Sequence, residues 1–256
     1  MSAHAANPAS MWNSAPPHMT MMELDEVHVW RASLLQPSEE TERLRQLLTQ
    51  DEQDRASRFH FRKDRDRFIV ARGILRSILG RYLKVEPARL RFEYSHYGKP
   101  RLTEEFDYGA LRFNLSHSHE RVLYAFARGR ELGVDIEYIR QDFAGEEIAR
   151  KFFSTREVAD FCSLPLGQRT EAFFHCWTRK EAYVKAIGEG LSMPLDEFDV
   201  SLLPEKPAAL LRNRRRPQEV RRWSLQALNV AFGYAAAIAI EGHERQLKCF
   251  DWDSPL

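Results

Sequence analysis

Three segments of this chain carry side chains suited to holding a charged substrate. In Gly133-Val134-Asp135-Ile136-Glu137, alternation along a strand sends Val134 and Ile136 to one face and Asp135 and Glu137 to the other. Carboxylates that share a face repel unless a proton or a cation lies between them. Oxygen-only ligands suit Mg²⁺ or Mn²⁺ better than zinc. By itself, an Asp-x-Glu pair is more often the solvated face of an ordinary strand. The second segment is Phe173 to Lys185, where positions 173, 177, 181, 184 and 188 share one helical stripe. Glu181 then stands in an apolar seam between Trp177 and Val184, where a carboxylate needs a partner. Lys185, one turn on, is either that partner in a plain ion pair or a cation facing an anionic substrate. In the latter case Glu181 is a third carboxylate for the same cation. The third segment, Phe113-Asn114-Leu115-Ser116-His117-Ser118, ends in hydroxyls and an imidazole. These are donors for an anion, or simply a surface histidine and its neighbours. His117 and His119 make a poor zinc site, because no third ligand is suitably placed. Lys99, in Gly98-Lys99-Pro100, adds one cation. Ser154-Thr155-Arg156-Glu157 is a capping box that accounts for Glu157, while a general-base role fits part of that geometry.

The elements that must position these residues follow from hydrophobic period. Val27–Leu34 alternates as a strand, and Ser38–Leu48 and Arg55–Leu83 have helical spacing. Leu111–Leu115, Val122–Ala127 and Gly133–Ile139 read as strands, joined by Ser116–His119 and by a turn at Gly129. Phe143–Phe153, Thr155–Leu164 and Arg169–Ile187 read as helices, the last stopped by Gly188 and Gly190. Strands are expected at Phe198–Leu202, Val220–Leu228 and Phe232–Ile240. The order is similar in the two halves, which predicts an α+β fold with a seam near residue 130.

Composition bounds the function. The chain has 256 residues, with 38 basic against 37 acidic side chains, so no net field argues for nucleic acid. Six arginines lie between Arg212 and Arg222, read as a solvated face or as contact with an acidic partner or RNA. Three scattered cysteines, Cys162, Cys176 and Cys249, read as small core residues in a reducing compartment. No segment reaches the roughly 20 apolar residues of a membrane span. Residues 1–22, rich in Ala, Pro, Ser, Asn and Met, are expected to form a disordered extension, with Met19, Met21 and Met22 as alternative starts. A cytoplasmic protein is expected.

Taken together, the motifs resemble the Sfp-type 4′-phosphopantetheinyl transferases from about Arg55 to Val200. Gly98-Lys99-Pro100, Phe113 to Ser118, Gly133 to Glu137, Phe152-Phe153-Ser154 and Trp177-Thr178-Arg179-Lys180-Glu181-Ala182-Tyr183-Val184-Lys185 occur in that family's order. The resemblance implies two similar α/β subdomains about a pseudo-twofold axis, residues 23–130 and 131–250, with coenzyme A between them. It implies Mg²⁺ on Asp135, Glu137 and Glu181, and coenzyme A contacts from Arg67, Lys99, Ser116, His117 and Lys185. It also implies Glu157 as base, with Lys185 and His117 assisting. Where some relatives hold the 3′-phosphate with basic residues, this chain has Asp51 and Asp54, so Arg55 and Arg58 are the candidate replacements. The implied activity moves phosphopantetheine from coenzyme A to a serine of an apo acyl or peptidyl carrier protein, by a monomer. The competing readings are another Mg²⁺-dependent phosphodiesterase and a non-catalytic protein that binds coenzyme A or RNA.

Overall fold

The computed structural model describes residues 11–16, 19, 22–107, 110–140, 145–243 and 245–252. Two sheets lie face to face, and each carries a long helix on its outer side. The first sheet runs in the order β1 (Trp12–Ser14), β12 (Gln246–Asp251), β2 (Glu26–Ser33), β6 (Arg121–Arg128), β5 (Leu111–Ser118). The second runs β10 (Trp223–Ala227), β11 (Tyr234–Glu241), β7 (Leu132–Tyr138). Strand alternation places the core: Val27, Val29, Leu123 and Ala125 face Val134, Ile136, Ile238 and Ile240 between the sheets. On the other face of the first sheet, Trp30, Tyr124 and Phe126 pack with Ile74, Leu75 and Ile78 of α3 (Arg62–Leu83). On the outer face of the second, Ala235, Ala237 and Ala239 receive α6 (Leu166–Ile187). These layers realise the α+β expectation.

Gly133 sets the distance between α6 and β7. A Cβ there would lie 2.3 Å from both the Ala182 carbonyl oxygen and the Ala186 nitrogen, so only glycine lets the helix backbone seat on the strand. Because Gly133, Asp135 and Glu137 share a face, that seating also lays α6 across the two carboxylates.

Smaller elements complete the chain: α1 (Ser38–Arg45), α2 (Gln50–Ser57), β3 (Phe92–Tyr94), β4 (Pro100–Leu102), α4 (Gly145–Phe152), α5 (Thr155–Ser163), β8 (Phe198–Val200), β9 (Leu210–Asn213) and α7 (Glu219–Arg222). Several expectations are corrected. The helix expected over Arg55–Leu83 breaks after Ser57, and Phe59 folds back on Phe68 with ring centroids 5.4 Å apart. Ser116 to Ser118 are strand rather than connector, and the turn is made by His119, whose φ is +53°, and Glu120. The strand expected from Val220 begins as α7. Part of the supposed disordered extension is ordered: β1 pairs parallel with β12, Trp12 lies in the core between the sheets, and Met19 and Met22 are buried under the first sheet. Polar composition hid three large apolar side chains that find the core. Residues 1–10 lie outside the described residues. The expected 131–250 unit is likewise corrected, because Gln246–Asp251 returns to the first sheet between β1 and β2. Cys176 and Cys249 are buried as expected, whereas Cys162 is half-buried.

Candidate active site

The site forms along the seam where β5, the edge of the first sheet, meets β7, the edge of the second. Side chains do the work of a backbone ladder here. Asn114 Oδ1 accepts a hydrogen bond from the Val134 amide at 2.9 Å, and Ser118 Oγ accepts from the Tyr138 amide at 3.0 Å. Between them, Ser116 Oγ donates to Asp135 Oδ1 at 2.8 Å and Ser118 Oγ donates to Glu137 Oε2 at 2.8 Å. The two-residue period of each strand matches serine to carboxylate twice.

From above, α6 contributes Lys185 and Glu181. Lys185 Nζ lies 2.6 Å from Asp135 Oδ1 and 2.8 Å from Ser116 Oγ. Burial raises the Glu137 carboxyl above its ordinary pKa, and the neighbouring Asp135 charge pushes the same way. Burial raises Glu181 as well, followed by the charges of Asp135 and Glu137. Thus Asp135, Glu137 and Glu181 are one electrostatic cluster. It is short of positive charge. Asp135 Oδ2 is buried with no hydrogen-bond donor among the described residues, and Glu181 accepts no hydrogen bond from any of them. An all-oxygen, charge-deficient cluster with an orphaned carboxylate oxygen fits a hard divalent cation. Among the described residues, no three His, Cys, Asp or Glu side chains already meet as a ready cage. Lys185 holds one oxygen of Asp135, and Ser118 holds one of Glu137.

Beside the cluster runs a groove of about 550 Å³, lined by Arg67, Arg55, Phe68, Leu115, His117 and Ser118 among others. Arg67 Nε and Nη2 are buried without partners among the described residues, which leaves two donors for an anion. Arg55 lies over the Phe68 ring, 5.4 Å from its centroid. His117 lines the groove and is exposed. Desolvation lowers its pKa, and the charges of Lys185 and Arg67 lower it further. A larger hollow of about 910 Å³ lies on the far side of Arg67, under α1 and α2, away from the carboxylates. Asp54 lines that hollow and accepts from Gln50. Of the two arginines expected to replace the missing basic residues, Arg55 reaches the groove and Arg58 does not line it.

Two expected site residues are engaged away from the cluster. Glu157 is 1% exposed: one oxygen accepts from Val200 N at 2.7 Å, and the other from Ser154 N and Lys180 Nζ, each at 2.8 Å. With both oxygens occupied, it braces α5, α6 and β8 together. Lys99 Nζ has its three donors on Glu131 Oε2 and the Leu132 and Ala186 carbonyls, at 3.1, 3.2 and 3.3 Å. It clamps the end of α6 to the start of β7 and does not reach the cluster. The sequence reading missed Ser118 and Asn114 as seam residues, although both sit in the segment that drew notice and the strand period would have placed Ser118 beside Glu137. The arginine run is mostly a paired face: Arg214 meets Asp199, Arg215 meets Glu197, Arg216 meets Glu189, and Arg222 meets Glu219 and Glu241.

Comparison with known proteins identifies the family. Residues 131–239 match the family model described as 4′-phosphopantetheinyl transferase superfamily. Residues 30–128 match 4′-phosphopantetheinyl transferase, N-terminal. The chain is 43% identical to the 4′-phosphopantetheinyl transferase HetI of Nostoc sp. over 237 residues, 93% of this chain and 96% of that protein. It is 34% identical to the 4′-phosphopantetheinyl transferase Sfp of Bacillus subtilis over 164 residues, 64% of this chain and 70% of that one. Among solved structures, the holo-[acyl-carrier-protein] synthase (AcpS) of Thermotoga maritima overlays 45% of this chain and 64% of its own, at 16% identity and a TM-score of 0.34. The chain belongs to the 4′-phosphopantetheinyl transferase superfamily. Within it, the chain is of the Sfp type.

Proposed function

We propose that this protein transfers the 4′-phosphopantetheine group of coenzyme A to a serine hydroxyl of an apo-carrier protein, releasing adenosine 3′,5′-bisphosphate. The observation that carries this reading is the adjacency of the Asp135–Glu137–Glu181–Lys185 cluster to the Arg67–His117 groove. One part suits a diphosphate with a divalent cation, and the other suits the nucleotide end. Asp135, Glu137 and Glu181 would hold Mg²⁺, which would neutralise the diphosphate oxygens. Lys185 and His117 donate to the same oxygens from fixed positions, where preorganised donors count most. Arg67 holds the nucleotide end with its two free donors, with Arg55 beside it. With Glu157 buried, Glu181 is the carboxylate of the cluster placed to take the proton of the carrier hydroxyl. The protein works as a cytoplasmic monomer in this reading. No helix among the described residues is long and apolar enough to cross a membrane.

The test is incubation with a fluorescent coenzyme A and a panel of apo-carriers, with and without Mg²⁺. Labelling of at least one carrier, with stoichiometric adenosine 3′,5′-bisphosphate that appears only when carrier and Mg²⁺ are both present, is expected. Release of the bisphosphate without any carrier would instead indicate a phosphodiesterase.

A further inference from the structure

We infer that Ser118 is a positioning residue that aims Glu137 at the cation site; this rests on the metal reading above. A hydroxyl has one proton to give. The Tyr138 amide donates to Ser118 Oγ at 3.0 Å, so one lone pair is taken by a backbone group that cannot turn away. The Oγ proton is left pointing at Glu137 Oε2, 2.8 Å off. Both bonds cross from β5 to β7, and Tyr138 directly follows Glu137 in the chain. Ser118 therefore fixes the Glu137 backbone and its carboxylate with one atom. Glu137 is the member of the cluster that needs this. Asp135 is already gripped by Ser116 and Lys185, and Glu181 projects from a rigid 22-residue helix. Glu137 is half-buried at the open end of β7. A carboxylate free to rotate there would lose ordering entropy on each binding event, which the Ser118 hydrogen bond removes in advance. Groups that orient ligands in this way typically contribute about 10- to 100-fold in metal affinity.

The experiment is Mn²⁺ titration of the purified protein by electron paramagnetic resonance, without coenzyme A or carrier, together with the thermal midpoint of each metal-free variant. Ser118→Ala is expected to weaken Mn²⁺ binding about tenfold, and Ser118→Thr, which keeps the hydroxyl, to restore it to within about twofold of wild type. In a Glu137→Gln background, Ser118→Ala should add no further loss, because the hydroxyl acts through that carboxylate. Unchanged Mn²⁺ affinity in Ser118→Ala would overturn the inference, as would a Thr variant as weak as Ala or an equal Ser118→Ala loss in the Glu137→Gln background. Because the readout is metal binding, it decides the role of Ser118 whether or not transfer to a carrier is observed.

Discussion

Lys185 Nζ sits 2.6 Å from Asp135 Oδ1, although the two residues are fifty positions apart and lie on different elements. The contact exists because α6 rests on Gly133 and so carries its last turn over the face of β7. The ammonium compensates part of the charge of the carboxylates, and in the proposed reaction it would donate to the diphosphate. Lys185→Met is expected to lower kcat about 100-fold, the scale on which a preorganised donor acts. Its effect on Mn²⁺ affinity should be far smaller. Single-turnover kinetics with saturating coenzyme A checks this, and a rate within threefold of wild type would remove Lys185 from the machinery.

Glu157 and Lys180 form a buried pair at 2.8 Å. Breaking such a pair strands a charge, which costs about 3–5 kcal/mol. Glu157→Ala is thus expected to unfold at a clearly lower urea concentration, while the folded fraction keeps near-normal turnover. A variant with wild-type stability and no transfer would restore Glu157 as the base.

The raised carboxyls of Glu137 and Glu181 give a pH signature. A carboxyl whose folded-state pKa exceeds its unfolded value binds its proton more tightly when folded, so ionising it costs stability. Metal-free Glu181→Gln should accordingly melt about 2 °C above wild type at pH 7.5, a shift typical of modest stabilisation in a chain this size. The difference should vanish as pH falls toward the ordinary carboxylate value of 4.5. Mg²⁺ should raise the melting point of wild type more than that of the variant. Calorimetry at two pH values, with and without Mg²⁺, reads all three effects.

Arg67 Nε and Nη2 lack partners among the described residues. A charged hydrogen bond contributes about 1.5–3 kcal/mol, so Arg67→Ala should raise the KM for coenzyme A at least about tenfold. Turnover at saturation should change little, because this contact is the same in ground and transition states. Equal loss in kcat and kcat/KM would place Arg67 at the reacting phosphate instead.

Trp12 donates to the Asn229 carbonyl at 2.6 Å and packs under Arg31, whose guanidinium lies 4.4 Å from the ring centroid. A chain started at Met19 would lose this plug from the core between the sheets. The expected cost is about 3 kcal/mol, as for other buried tryptophans, and Trp12→Ala should show a similar loss in urea unfolding. Unaltered stability would return this segment to a dispensable extension.

By itself the sequence determined which residues share a face. Strand period put Asp135 with Glu137, helical period put Glu181 over the seam, and glycine after Ile187 ended α6. Such information is local, because backbone geometry repeats every two or 3.6 residues whatever lies opposite. The identity of the partner across each face was left to tertiary structure. Glu157 and Lys99 looked like chemistry in the sequence, yet folding surrounds the first with Lys180 and Val200 and gives the second three acceptors near the end of α6. Conversely, Trp12 and β12 looked idle until long-range pairing placed them. A charged side chain is committed to structure or left available for a ligand by what desolvates and pairs it, and those groups come from distant parts of the chain.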